Sequence, residues 1–265
     1  TVALKILSPR LARDESYVER FVREAKSLAK LNHPNVVTVI DVGKGGGYYY
    51  LVMEFVSGGS LADIIREEGA LPEEKALRTV RQIACALKHA EENRLVHRDI
   101  KPENVLIASE GICKLCDLGL ARLSGGSTDL TATGVAMGTP DYISPEQARG
   151  ESELDIRTDI YSLGATLYHA VTGKPPFDGP TPAHIMRAHI TDPLSFPETP
   201  ALSAGIRSLI EKMMAKKPEK RQQGADELIE DIDRVLSGKK VKKSRAATKT
   251  HPPVGIPLGL HKHIF

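Results

Sequence analysis

The hydrophobic pattern changes period near residue 57. Before it, residues 1–7 form a β-rich apolar run closed by Ser8-Pro9. Over 15–31 the apolar residues Val18, Phe21, Val22, Ala25, Leu28 and Leu31 recur at three- and four-residue steps. That spacing predicts an amphipathic helix, stopped before Asn32-His33-Pro34. Two strand-like runs, 36–42 and 48–55, flank Gly43-Lys44-Gly45-Gly46-Gly47 and predict a hairpin. Beyond Ser57-Gly58-Gly59-Ser60 helical periods dominate. Ser60 with Asp63 reads as a capping box, and 73–92 carries Ala76, Leu77, Val80, Ile83, Ala84, Leu87 and Ala90 on one face. Short apolar runs at 105–107 and 112–116 suggest a small second hairpin. A Gly- and Thr-rich stretch from 118 to 146 has little periodicity and is too long for an ordinary connection. Residues 158–172 are apolar on nearly every turn and end at Gly173, a buried helix with a stop signal. Thr181-Pro182, Ser203 and Gly224 open three more helices, the last fading near Leu236.

With 41% apolar and 26% charged residues, the 265-residue chain has ordinary globular proportions, which excludes a disordered or collagen-like polypeptide. No apolar run reaches the roughly 18 residues of a membrane span. The three cysteines give no even disulfide framework, so the expected compartment is the reducing cytoplasm. The net charge of +2 hides an asymmetry: all seven basic residues and no acid of 237–265 lie in a Pro-containing tail, leaving the body net acidic. Cys113 and Cys116 have the spacing of a redox or zinc pair, yet no second pair exists, and strand cysteines are the reading preferred. The glycines at 43–47 could cradle a phosphate, but no helix start follows them.

The sharpest chemical signal is His97-Arg98-Asp99-Ile100-Lys101-Pro102-Glu103-Asn104, followed by Asp117-Leu118-Gly119. In order around it stand Val2-Ala3-Leu4-Lys5, Glu24 on the first helix, and Ser144-Pro145-Glu146 closing the long loop. The chain thereby resembles the protein kinase superfamily, whose catalytic loop and metal motif have these patterns. Lys101, Gly138-Thr139-Pro140 and the run from Asp155 to Phe177 are similar to those of bacterial eukaryotic-like serine/threonine kinases. The resemblance covers residues 1 to about 236.

The resemblance implies an α+β, bilobal fold: a small antiparallel β lobe with one helix (1–56), a larger helical lobe (57–236) with an activation segment at 117–146, and a flexible tail (237–265). It implies ATP and Mg²⁺, or Mn²⁺, as nucleotide and metal, and Ser/Thr hydroxyls of proteins as acceptors. Phosphoryl transfer asks for neutralised phosphate charge, in-line positioning and a proton acceptor. Asp99 is then the base, Lys101 meets the transferring phosphate, Asn104 and Asp117 are the oxygen ligands of the metal, Lys5 holds the α- and β-phosphates, and Glu24 fixes Lys5 through a salt bridge. Met53 is the gatekeeper; Glu54 and Val56 present the hinge backbone to adenine, and Ala3 and Leu106 sandwich the purine. By periodicity alone those positions are merely core. His97 is a core residue rather than a base, Asp159 braces the catalytic loop, and Glu146 pairs with Arg221. Arg98 beside Asp99 points to autophosphorylation at Thr131 or Thr133.

Two departures stand out. Leu118 replaces the usual Phe, and the Gly-rich loop with its two strands does not precede Val2, which is read as truncation of a parent kinase. The alternative function is a pseudokinase-like scaffold that docks partners through the helical lobe and the basic tail. That tail suggests an anionic membrane surface, with the parent's anchor beyond residue 265. The absence of an aromatic-studded basic face in the pattern argues against nucleic acid.

Overall fold

A computed structural model describes residues 1–29, 31–117 and 140–242, the side chains at 24 and 27 excepted. The small lobe is an antiparallel sheet of β1 (Val2–Ile6), β2 (Val39–Gly45) and β3 (Tyr48–Glu54) in the order β1-β3-β2, with helix α1 (Glu15–Leu28) between the first two in sequence. Phe21, Ala25 and Leu28 bury one face of α1. Alternation along β1 leaves Val2, Leu4 and Ile6 more than half exposed, while Ala3 and Lys5 take the other face. The register sets Ala3 opposite Met53 and Lys5 opposite Leu51.

The first hairpin is tighter than the run of glycines suggests. Strand β2 continues through Gly43, Lys44 and Gly45, and the turn is Gly46-Gly47 alone, both at positive φ. Gly43 belongs to the strand because the Tyr50 ring lies over it; a Cβ there would meet the Tyr50 hydroxyl at 2.7 Å.

The large lobe contains α2 (Leu61–Glu68), α3 (Glu73–Glu92), the hairpin of β4 (Val105–Ile107) and β5 (Cys113–Leu115), α4 (Pro145–Ala148), α5 (Ile156–Thr172), α6 (Pro182–Thr191), α7 (Ala204–Met213) and α8 (Ala225–Leu236). Helix α5 is buried over nearly its whole length, with α3 and α7 packed on it and α8 closing over α3. The expected caps are present. Ser60 Oγ accepts from Asp63 N–H while Asp63 returns a carboxylate to Ser60 N–H, and Thr181 and Ser203 cap α6 and α7. Asp155 caps α5, which ends at Gly173 with φ 74°.

The lobes meet at Asn35, just before β2. Its Nδ2 donates to Gln82 Oε1 on α3 and to Cys113 O, and Leu115 N–H donates back to Asn35 O. The Lys114 ammonium pairs with Glu54 at 2.8 Å, joining β5 to the end of β3.

The expectation of a flexible tail from residue 237 needs correction for its first part. Lys242 N–H donates to Asp231 Oδ1, Lys240 O accepts from Arg234, and Val241 packs against the core. Lys242 also forms an ion pair with Glu230. Acids on α8 draw the first basic residues onto the lobe. Among the described residues no helix is long and apolar enough to cross a membrane.

Candidate active site

The segment between α3 and β4 is held from beneath by one carboxylate. Asp159, fully buried on α5, accepts His97 N–H at 2.7 Å and Arg98 N–H at 2.8 Å. Arg98 has φ 70°, a left-handed turn that aims the chain so that both amides reach this acceptor. Burial pushes the Asp159 carboxyl up to about 7, opposed by these two N–H donors, which favour the ionised form.

His97 is likewise fully buried, as a core residue should be. Its Nε2 lies 2.8 Å from Cys116 O, which can only accept, so Nε2 carries the proton. Nδ1 then accepts Asp99 N–H at 3.2 Å. Both ring nitrogens are used on backbone and desolvation lowers the pKa, so the ring is a neutral strut.

Asp99 faces the cleft. Lys101 Nζ reaches its carboxylate at 2.8 Å, and Asn104 Nδ2 donates to Asp99 O at 2.7 Å and to Asp99 Oδ2 at 3.0 Å. The Asn104 amide nitrogen is thereby committed to Asp99, and its Oδ1 has the Cys116 thiol as a donor at 3.9 Å. Cys116 N–H donates to Asn104 O, tying the strand end to the loop. Asp117 follows at φ 60°, and its carboxylate meets Lys5 Nζ at 2.7 Å. Lys101 and Asn104 thus hold Asp99, Lys5 pairs with Asp117, and the Cys116 backbone ties the two sets together. Lys5 is engaged by Asp117; the side chain of Glu24, its expected partner, lies outside the described residues. The Cys116 thiol is pushed up to about 12, first by burial and then by the Asp117 charge, which leaves it a poor nucleophile. Cys113 is buried on β5, and among the described residues no cluster suits a metal held by His, Cys, Asp and Glu alone.

On the β side of the cleft, Ala3 and Met53 face each other across β1 and β3, both half-buried. A small cavity behind Met53 is lined by Leu28, Val39, Leu51, Leu115 and Asp117. Glu54 is more than a backbone station. Its carboxylate accepts Thr38 N–H at 2.7 Å and pairs with Lys114, and these contacts hold its pKa down against burial. Val56 follows on the chain that leads to Gly58, where a Cβ would meet Ile107 O at 2.3 Å. That close approach lets Gly59 O accept Ile107 N–H and seats Leu106 opposite Ser60.

The far side of the activation segment is anchored by a buried ion pair. Arg221 donates to both Glu146 oxygens, at 2.7 and 2.9 Å, and Thr158 Oγ1 donates to Glu146 at 2.8 Å. Gln147, beside it on α4, donates to Arg98 O at 2.8 Å. Sequence reading missed Gln147, Cys116 and the Glu54 side chain, since each acts through a backbone group far along the chain. Leu118, Thr131 and Thr133 lie outside the described residues.

A small β lobe over a helical lobe, with a lysine, a braced Asp and two further oxygen donors converging between them, defines a bilobal protein kinase. The protein kinase domain model matches residues 1–231, and the chain belongs to that family. It is 42% identical over 243 residues to serine/threonine-protein kinase PknB of Mycobacterium leprae, covering 89% of this chain and 39% of that protein. It is 40% identical over 265 residues, 97% of this chain and 38% of the other, to the protein named "Probable serine/threonine-protein kinase CPE1738" of Clostridium perfringens. The chain thus spans about two fifths of the length of these curated relatives. Both the fold class and the resemblance inferred from the sequence hold.

Proposed function

We propose that this chain transfers the γ-phosphate of ATP to serine or threonine hydroxyls of proteins, with residues 1–56 as the small lobe and 57–236 as the large lobe. The convergence of Asp99, Lys101, Asn104, Asp117 and Lys5 carries this reading. Asp99 orients the acceptor hydroxyl and takes its proton as the bond to phosphorus forms. Lys101, already beside Asp99, neutralises charge on the transferring group. Lys5 holds the α- and β-phosphates at the price of loosening its contact with Asp117. Ala3 and Leu106 enclose the purine, Met53 limits the depth of the pocket, and backbone groups of Glu54 and Val56 read the adenine edge.

The donor set fits a hard divalent cation. Asn104 Oδ1 and the Asp117 carboxylate are oxygens, and the Asn104 nitrogen is turned away onto Asp99. Bound there, Mg²⁺ would neutralise phosphate charge, with Mn²⁺ as a substitute. Retention of Lys5, Glu24, Asp99, Asn104 and Asp117 in the sequence favours an enzyme over a pseudokinase-like scaffold, which has no need of them together.

Radiolabel transfer from ATP to a basic acceptor protein tests the proposal. Asp99→Asn should lower kcat by about 10²–10⁴, the usual contribution of a general base, with nucleotide affinity retained. Absence of transfer by the full-length protein, unchanged by that substitution, refutes it. Autophosphorylation at Thr131 or Thr133, answering Arg98, belongs to the same proposal and is read by mass spectrometry after incubation with Mg-ATP. The basic residues from 239 onward are proposed to meet anionic lipid; vesicle co-sedimentation independent of acidic lipid content would exclude that.

A further inference from the structure

The chain does not leave the large lobe at the end of α8. Gly238, at φ 70°, turns it back, with Gly238 N–H donating to Val235 O and Lys239 N–H to Arg234 O. Residues 239–242 then run back along the helix as far as Glu230 and Asp231. Arg234 Nε donates to Lys240 O at 2.8 Å, and Val241 packs against the core. The backbone of Lys242 enters a buried ion pair. Lys212, on α7 and nearly enclosed, donates to Asp231 Oδ2 at 2.8 Å, Glu227 Oε1 at 2.7 Å and Lys242 O at 3.1 Å. Asp231, fully buried, accepts from Lys212 and Gln222 Nε2 on Oδ2, and from Lys242 N–H at 3.0 Å on Oδ1.

One residue of the tail thus gives its carbonyl to a buried cation and its N–H to a buried anion. All three protons of the ammonium are engaged, the third by this carbonyl. Departure of the segment leaves both ions short of a bond that only incoming water can replace, so the segment and the α7–α8 packing stabilise each other. The side chains are held less firmly. Lys239 and Lys240 are exposed, and Lys242 pairs with Glu230, itself about half exposed. A flat anionic surface that met these lysines in place would also meet the carboxylates of Glu230 and Glu227 and be repelled by them. Such a surface favours the segment lifted off the helix, and a ligand that prefers one of two arrangements shifts the balance toward it.

We propose that residues 239–242 are a latch that an anionic lipid surface opens: seated, they complete the Lys212–Asp231 pair; drawn onto lipid by Lys239, Lys240 and Lys242, they release it and loosen α8. The inference rests on the reading of the basic tail as lipid-facing and is independent of phosphoryl transfer. By linkage, whatever unseats the segment strengthens the hold of the tail on lipid to the same degree.

Amide hydrogen exchange on the full chain, read by mass spectrometry, tests this with vesicles of phosphatidylcholine alone and of phosphatidylcholine and phosphatidylglycerol in equal parts. Acidic vesicles should speed exchange in the last turn of α8 and over 238–242 about tenfold, the equivalent of one lost hydrogen bond, and neutral vesicles should leave it unchanged. Val241→Ser unseats the segment without altering a charge. It should show the faster exchange with no lipid present and bind acidic vesicles about fivefold more tightly in co-sedimentation. Binding to acidic vesicles with exchange in α8 unchanged, or equal vesicle affinity for the natural chain and Val241→Ser, overturns the latch and leaves the lipid reading intact. Failure of both chains to bind acidic vesicles refutes the lipid reading, and the opening with it.

Discussion

Replacing Arg221 by Met tests how strongly the segment after the activation loop is anchored. Arg221 is fully buried and donates to both Glu146 oxygens and to the carbonyls of Ala215, Arg157 and Lys216. Methionine of similar length fills much of the space but leaves Glu146 with Thr158 as its side-chain donor. Removing one partner of a buried pair costs about 3–5 kcal/mol, because the remaining charge keeps its desolvation penalty. Against a total stability of about 5–15 kcal/mol, that brings the domain near unfolding. At about 2–4 °C per kcal/mol for a domain of this size, Tm should fall by roughly 6–20 °C. The double variant Glu146→Gln/Arg221→Met should recover part of the loss. Urea unfolding followed by circular dichroism at pH 7 and at pH 4 measures each value. Burial raises the Glu146 pKa and the guanidinium more than offsets this, so its folded value lies below the ordinary 4.5. Stability from such a carboxylate is present above the unfolded value and lost as pH falls through the folded one. The gap between the natural chain and Arg221→Met should therefore narrow at pH 4. A gap under about 1 kcal/mol at pH 7, or one that does not change with pH, would refute the reasoning.

Asp159→Asn turns an amide N–H toward one of the two backbone donors and should cost about 2–4 kcal/mol, with phosphotransfer lowered more than ATP affinity; chemical denaturation and steady-state kinetics separate the two. Gly58→Ala drives a methyl into Ile107 O and should destabilise by about 1–3 kcal/mol while weakening binding of an ATP analogue, read by calorimetry. Cys116, with its thiol pushed up to about 12, should react with iodoacetamide at pH 7.5 roughly a thousandfold more slowly than a free thiol, as peptide mapping over time would show.

Features set by neighbours in sequence were legible from the chain. Ser60 with Asp63, Thr181 and Ser203 announce helix starts because a cap is satisfied within three residues. The cluster in the loop between α3 and β4 was legible because Asp99, Lys101 and Asn104 contact one another across five positions. What escaped is bonding between distant segments. His189 carries no signal in the sequence, and only the fold brings Tyr161 and Asp141 to either side of it. Gly43 looks like loop until the Tyr50 ring is laid across the strand. Lys240 and Lys242 look like the start of a solvated run, and only the acids of α8 make them part of the lobe.

His97 spans the two backbone stretches that carry Asp99 and Asp117, proposed above as the proton acceptor and a metal-side carboxylate. One imidazole bonds the amide of Asp99 and the carbonyl of the residue before Asp117, so neither stretch can shift without dragging the other. An influence that tilts the chain at Asp117 reaches Asp99 in the same movement. On the proposed function, inactivation needs no blockade of the cleft; a displacement of that one ring would dismantle both halves of the chemistry together.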